Sequence, residues 1–117
     1  MSKHLETGRR GEQRAATFLE SQGFRVVAAN YRFRKAEIDL IVMKEELLVF
    51  VEVKTRSGTA YGLPEAAVNT RKAKLIVSAA GQYILEIDWL HEIRFDIISV
   101  LFTDNNTEIE HLEDAFY

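Results

Sequence analysis

The chain reads as an α/β domain, a mixed β-sheet flanked by helices in the order α-β-β-β-α-β-β. Three observations predict it. Two apolar segments, 37–44 and 47–56, are separated only by Glu45-Glu46, a connection too short for a crossover, so they pair as an antiparallel hairpin. Apolar stripes at helical spacing occur both before and after that hairpin. A further apolar strand, 93–102, follows a helix long enough to carry a crossover to a parallel neighbour.

The elements follow in order. A first helix is expected over 5–22, where Ala15, Ala16 and Leu19 make one stripe with Phe18 at its edge. Glu12 falls on that same stripe, and Gly23 ends the helix. Gly8 and Gly11 each cost ~1 kcal/mol against Ala in a helix, so they either admit another backbone or fray the first turn. A strand over 24–32 leads into the basic turn Arg32-Phe33-Arg34-Lys35, and the hairpin strands come next. Segment 57–63, with Gly58 and Gly62, reads as a flexible loop, and Pro64 can start a short helical turn. Thr70 is expected to N-cap a helix to about Glu86 that turns Ala73, Ile76, Val77, Ala80 and Ile84 inward. Strand 93–102 is followed by a short edge strand over 108–112.

Length and composition narrow the function classes. The 117 residues suit one domain spanning 1–117, and 47% apolar content supplies a core. There is no cysteine, which excludes a disulfide scaffold and a thiolate metal site and is compatible with a reducing cytosol. The polar start lacks a secretory apolar region, and the longest apolar run, Leu47 to Val51, cannot span a bilayer. A soluble, cytoplasmic protein with no membrane partner is expected. Net charge is −3, but it is unevenly spread. Residues 1–75 hold 14 Lys/Arg against 9 Asp/Glu, or +5; residues 76–117 hold 1 against 9, or −8. The basic part can form a phosphate-binding face, whereas the acidic C-terminal part would repel a polyanion lying near it.

The candidate site stands in the hairpin. Side chains alternate along a strand, so one face of 47–56 shows Leu48, Phe50, Glu52, Lys54 and Arg56. Asp39 comes beside Glu52 when the hairpin is in register. Charges in strands this apolar are costly unless paired or metal-bound. Two converging carboxylates repel each other, and a hard cation, Mg²⁺ or Mn²⁺, relieves that repulsion through oxygen ligands. An acid, a gap and then Glu-x-Lys is a donor set suited to metal-dependent phosphodiester hydrolysis, with Lys54 handling the water or the transition-state charge. Glu12 could complete the metal shell. A lone Glu-x-Lys is more often a surface ion pair; Asp39 in the partner strand and Glu12 on a buried stripe shift the balance. Arg34, Lys35, Arg56, Arg71 and Lys72 are candidate phosphate contacts, against the bland reading of solvated charges. Asp96 is read as a structural partner of an Arg, Glu37 as a neighbour of the site or a salt-bridge partner, and Trp89 as packing. His4, His91 and His111 make no metal or triad signature.

Taken together, Gly11-Glu12, Asn30-Tyr31-Arg32, Glu37-Ile38-Asp39-Leu40-Ile41, Phe50-Val51-Glu52-Val53-Lys54-Thr55-Arg56, Lys72 and Arg94-Phe95-Asp96 resemble the YraN family. These small bacterial proteins are related to the PD-(D/E)XK nucleases, and the resemblance runs from about Gly8 to Val100. It implies a restriction-endonuclease-like core, with Asp39, Glu52 and Lys54 matching the superfamily's acid–acid–lysine site. Glu12 matches the helix-borne acid of the archaeal Holliday junction resolvases. Ile38 stands where many of the superfamily have Pro, as is usual in this branch, and Ala36 stands where the family commonly has Gly. The expected activity is a Mg²⁺- or Mn²⁺-dependent endonuclease acting on DNA in preference to RNA, with branched or structured DNA among the expected substrates, and working as a homodimer if it cuts junctions. The alternative is a nucleic-acid-binding or assembly module that keeps the fold with little catalysis.

Overall fold

The computed structural model describes residues 3–57 and 68–116. Its elements run α1 (Lys3–Ser21), β1 (Arg25–Phe33), β2 (Ala36–Lys44), β3 (Leu47–Ser57), α2 (Thr70–Ile87), β4 (Glu92–Phe102) and β5 (Thr107–Leu112). The expected order is thus observed. The expected loop over 57–63 and the turn at Pro64 lie, beyond Ser57, outside the described residues.

The five strands form one sheet in the order β1-β2-β3-β4-β5, with β3 and β4 parallel and the other pairs antiparallel. Helix α2 is the crossover that makes the parallel pair possible. Its inward residues Ile76, Ala79 and Ala80 pack on Ile38, Ile41, Leu48, Phe50 and Phe95. On the other face, Ala15 and Leu19 of α1 pack on Leu40, Val42, Val49, Val51, Ile98 and Val100. With both faces covered, β3 is buried from Leu48 to Glu52, as its apolar run requires. This mixed sheet with a helix on each face is consistent with a restriction-endonuclease-like core. Among the described residues, no helix is long and apolar enough to cross a membrane.

Local chemistry fixes the ends. Gly23 closes α1 at φ 96, a left-handed conformation that glycine takes without steric cost, and Phe24 N–H donates back to the Leu19 carbonyl at 3.0 Å. The N-cap of α2 is Asn69, not Thr70. Asn69 has extended backbone, and its side-chain oxygen accepts from Lys72 N–H at 2.8 Å, so the first helical residue lies one position after the cap. Ala36 needs no glycine freedom, because the positive φ of the β1–β2 turn falls on Arg34. Gly11 is the close-approach position: a Cβ there would lie 1.9 Å from Thr55 Oγ1, whereas a Cβ at Gly8 meets nothing within 4 Å. Gly11 therefore lets α1 settle onto β3, one strand residue beyond Lys54.

Candidate functional site

The β2–β3 ladder runs from Lys44↔Leu47 to Leu40↔Val51 and stops there. The next pair in register is Asp39 opposite Glu52, where the strands part. Alternation along β2 also breaks at this point. Ile41 and Ile38, three residues apart, both pack on the α2 side, while Leu40 packs on the α1 side. The twist turns the Asp39 carboxylate toward β3, where Oδ2 accepts the Val53 N–H at 2.8 Å. A side chain thus takes over a backbone donor that the departing strand no longer satisfies.

Glu52 is 4% exposed and projects from β3 on the α2 side, next to Phe50. Burial of Asp39, followed by the charge of Glu52, raises the Asp39 carboxyl from 3.8 to about 7. The Val53 N–H opposes that rise, and the charge of Glu12 adds to it. Asp39 therefore holds its proton up to near neutrality, or gives it up to a cation. A pocket of about 200 Å³ opens over them, lined by Lys35, Ala36, Glu37, Asp39, Glu52, Lys72, Leu75 and Ile76.

The structure places the other candidate residues unevenly. Lys54 lies two positions past Glu52 on the same strand face, half-buried and beside Ser99 of β4; it does not line the pocket. Glu12, on α1, accepts a hydrogen bond from Asn30 Nδ2 at 3.1 Å and reaches Asp39 through its charge rather than by contact. Lys72, from the first turn of α2, pairs directly with Glu52. Lys35 lines the pocket mouth. Arg34 stacks over Phe33 at 5.0 Å in the turn outside it, Arg71 is exposed on α2, and Arg56 is half-buried further along β3. Glu37 lies 3.7 Å from Arg32 across the hairpin, a surface pair at the pocket rim.

Asp96 is structural. It is fully buried and accepts from Arg94 Nε at 2.8 Å, Arg94 Nη2 at 2.9 Å and Asp114 N–H at 3.0 Å, with His111 Nε2 at 2.7 Å. Burial alone would raise this carboxyl, but the bonds from His111, Arg94 and Asp114 outweigh it and hold the group below its usual range. The network ties β5 and the segment after it to β4. Trp89 packs at the edge of the α2-side core and donates to the Glu92 carbonyl at 2.9 Å.

Two features escape sequence reasoning. Asn30 sits in β1 at φ 51, a conformation that Asn tolerates better than most residues, and its amide steers Glu12. The sequence signals are an Asn within an otherwise strand-forming run and its place in the family resemblance. Arg10 and Arg14 of α1 line a second cleft, of about 560 Å³, with Ser57, Phe102 and residues 103–107. Arg10 lies 4.4 Å over the Phe102 ring there. The acidic β5 lies two strands from β3, ~10 Å away at ordinary strand spacing, about one screening length at physiological salt.

Could these residues hold a hard cation? Among the described residues, no three His, Cys, Asp or Glu side chains converge as a closed ligand set. A Mg²⁺-type ion does not need one: it commonly takes one or two carboxylates and completes its shell with water and substrate phosphate. Half-buried Asp39, facing the charge of buried Glu52, fits that use.

Comparison with known proteins agrees with the family signature. The profile described as uncharacterised protein family UPF0102 matches residues 11–100. A UPF0102 protein of Flavobacterium psychrophilum is 44% identical over 117 residues, covering 100% of this chain and 98% of the relative. One from Christiangramia forsetii is 37% identical over 117 residues, again 100% and 98% of the two chains. One from Alkaliphilus oremlandii is 43% identical over 111 residues, 91% and 93% of the two. With the profile spanning most of its length and these relatives matched almost end to end, the chain belongs to the UPF0102, or YraN, family.

Proposed function

We propose that this protein is a metal-dependent endonuclease that hydrolyses phosphodiester bonds in DNA, with branched or structured DNA as its substrate, in the cytoplasm. The observation that carries the reading is half-buried Asp39 beside buried Glu52 at the point where β2 and β3 part, with Lys54 next on the same face. Acids drawn together partly out of water destabilise a fold unless a cation, Lys72 or a bound ion, offsets their charge.

In this reading Asp39 and Glu52 hold the Mg²⁺ or Mn²⁺ ion, and Glu12, steered by Asn30, supports it from α1. When bound, the ion supplies charge neutralisation at the phosphate and acidifies a ligated water. Lys54 orients the attacking water or neutralises charge on the phosphorane-like transition state. Lys35 and Lys72 at the pocket mouth, with Arg34, Arg56 and Arg71 around it, hold backbone phosphates, so recognition is by backbone and shape. Cutting a junction symmetrically needs two such sites about a two-fold axis, and hence a homodimer.

The test is a cleavage panel of duplex, single-stranded, flap and four-way-junction DNA, plus RNA, with Mn²⁺, Mg²⁺ or EDTA. Metal-dependent cutting that is lost in folded Glu52→Ala and Lys54→Ala proteins is the expected result. A second reading, a binding or assembly module, is favoured by one contact: Lys72 already neutralises Glu52. Binding of DNA with a steep salt dependence, but no cutting of any substrate, would select that reading.

A further inference from the structure

Glu52 meets a lysine that the acid–acid–lysine pattern does not include. Lys54 continues the β3 face, yet it is Lys72, 20 residues away in sequence and on another element, that holds Glu52. The two partners differ in burial. The Glu52 side chain is 5% exposed, while that of Lys72 is 47% exposed. The acid is fixed in the sheet, and the lysine reaches in from the rim on a flexible stem. Asp39 has no such partner among the described residues; its hydrogen bond is to the Val53 N–H. With every group ionised, the pocket lining holds three acids, Glu37, Asp39 and Glu52, against two lysines, Lys35 and Lys72.

We propose that Lys72 is the resident counter-ion of Glu52, which a divalent cation must displace, and that the displaced ammonium then binds a non-bridging oxygen of the substrate phosphodiester. The inference rests on the phosphodiesterase reading and deepens it. A divalent ion balances the acid pair, which leaves the Lys72 charge unspent at the pocket mouth, matched to the single negative charge of a diester. The helix start favours the same ligand. Asn69 caps α2, no acidic residue stands in its first turn, and Arg71 is exposed beside Lys72. A compact ammonium with about half its surface in water can rotate from acid to phosphate at little cost, whereas a guanidinium fork would hold the carboxylate at two points.

Calorimetric titration with Mn²⁺ in the absence of nucleic acid tests the exchange. The wild type would be compared with Lys72→Met, Lys72→Arg and, as a control on the same helix, exposed Lys74→Met. Loss of the competitor should tighten Mn²⁺ binding about fivefold in Lys72→Met, and the firmer partner should weaken it by a similar factor in Lys72→Arg. Lys74→Met should match the wild type. With Ca²⁺ present, the Lys72→Met protein should also bind DNA with a salt slope lower by about one. If Lys72→Met does not fold, Lys72→Arg carries the test alone, read against the wild type. Wild-type Mn²⁺ binding with Lys72→Met no tighter, or Lys72→Arg no weaker, overturns the counter-ion role and leaves the nuclease reading standing. Failure of every protein to bind Mn²⁺, both alone and with DNA present, overturns both.

Discussion

Replacing Asp39 by Asn should stabilise the protein, and by an amount that grows with pH. The Asn side-chain oxygen can still accept the Val53 N–H, so the change removes the charge and little else. In the native state, burial and Glu52 raise the Asp39 carboxyl from 3.8 to about 7. Below about pH 4 the group is protonated in both the folded and unfolded chains, and Asn and Asp should be equivalent. From there to about pH 7 the unfolded chain ionises freely while the folded one resists. The native state then binds more protons than the unfolded state, and wild-type stability falls as pH rises. Above about pH 7 both states are ionised and the deficit is constant. At ~1.4 kcal/mol per pH unit, the full displacement corresponds to roughly 4 kcal/mol, an upper bound because water and side-chain relaxation screen the pair. We expect the advantage of Asp39→Asn to widen by roughly 1–3 kcal/mol between about pH 5 and about pH 8. Paired urea titrations followed by circular dichroism would measure it, since the two proteins differ at this one side chain. Asp96, held below its usual range, stays ionised across that window. A difference that is flat or shrinks with pH would refute the claim that burial and the Glu52 charge raise the Asp39 carboxyl.

Mn²⁺ affinity of the wild type should rise between about pH 6 and about pH 8, with proton release visible as a buffer-dependent heat, because Asp39 must lose its proton to bind a cation; a pH-independent affinity would contradict this. Gly8→Ala and Gly11→Ala should move thermal stability in opposite directions. The first gains up to ~1 kcal/mol of helix propensity in open space, while the second must push Thr55 aside at a cost of about 1–3 kcal/mol, offsetting the same gain. Asp96→Asn should destabilise by about 3–5 kcal/mol in urea unfolding near neutral pH, since it leaves Arg94 without its buried partner. The contribution of Asp96 should vanish as pH falls below the ordinary carboxylate range through its lowered folded-state value.

Much of the fold was legible because its signals are local. The Glu45-Glu46 connection forces a hairpin, the apolar stripes specify two helices, and the covered faces of β3 follow from its continuous apolar run. The alternation that set Glu52 and Lys54 on one face holds, with Leu48 and Phe50 on the α2 side and Val49, Val51 and Val53 on the α1 side. The cap of α2 was misread by one residue because Asn69 and Thr70 are both good caps, and backbone dihedrals decide between them.

What the sequence determined by itself was the order of elements and the nomination of Asp39, Glu52, Lys54 and Glu12, since strand period and the cost of charge in an apolar run depend on near neighbours alone. Tertiary structure decided how those groups meet. The parting of β2 from β3 turns Asp39 into the gap beneath Val53 N–H, Asn30 takes a left-handed turn to steer Glu12, and the crossover helix delivers Lys72 to Glu52. Each of these depends on sheet twist and on helices packing from opposite faces, and such contacts between residues distant in sequence leave no periodic trace in the chain.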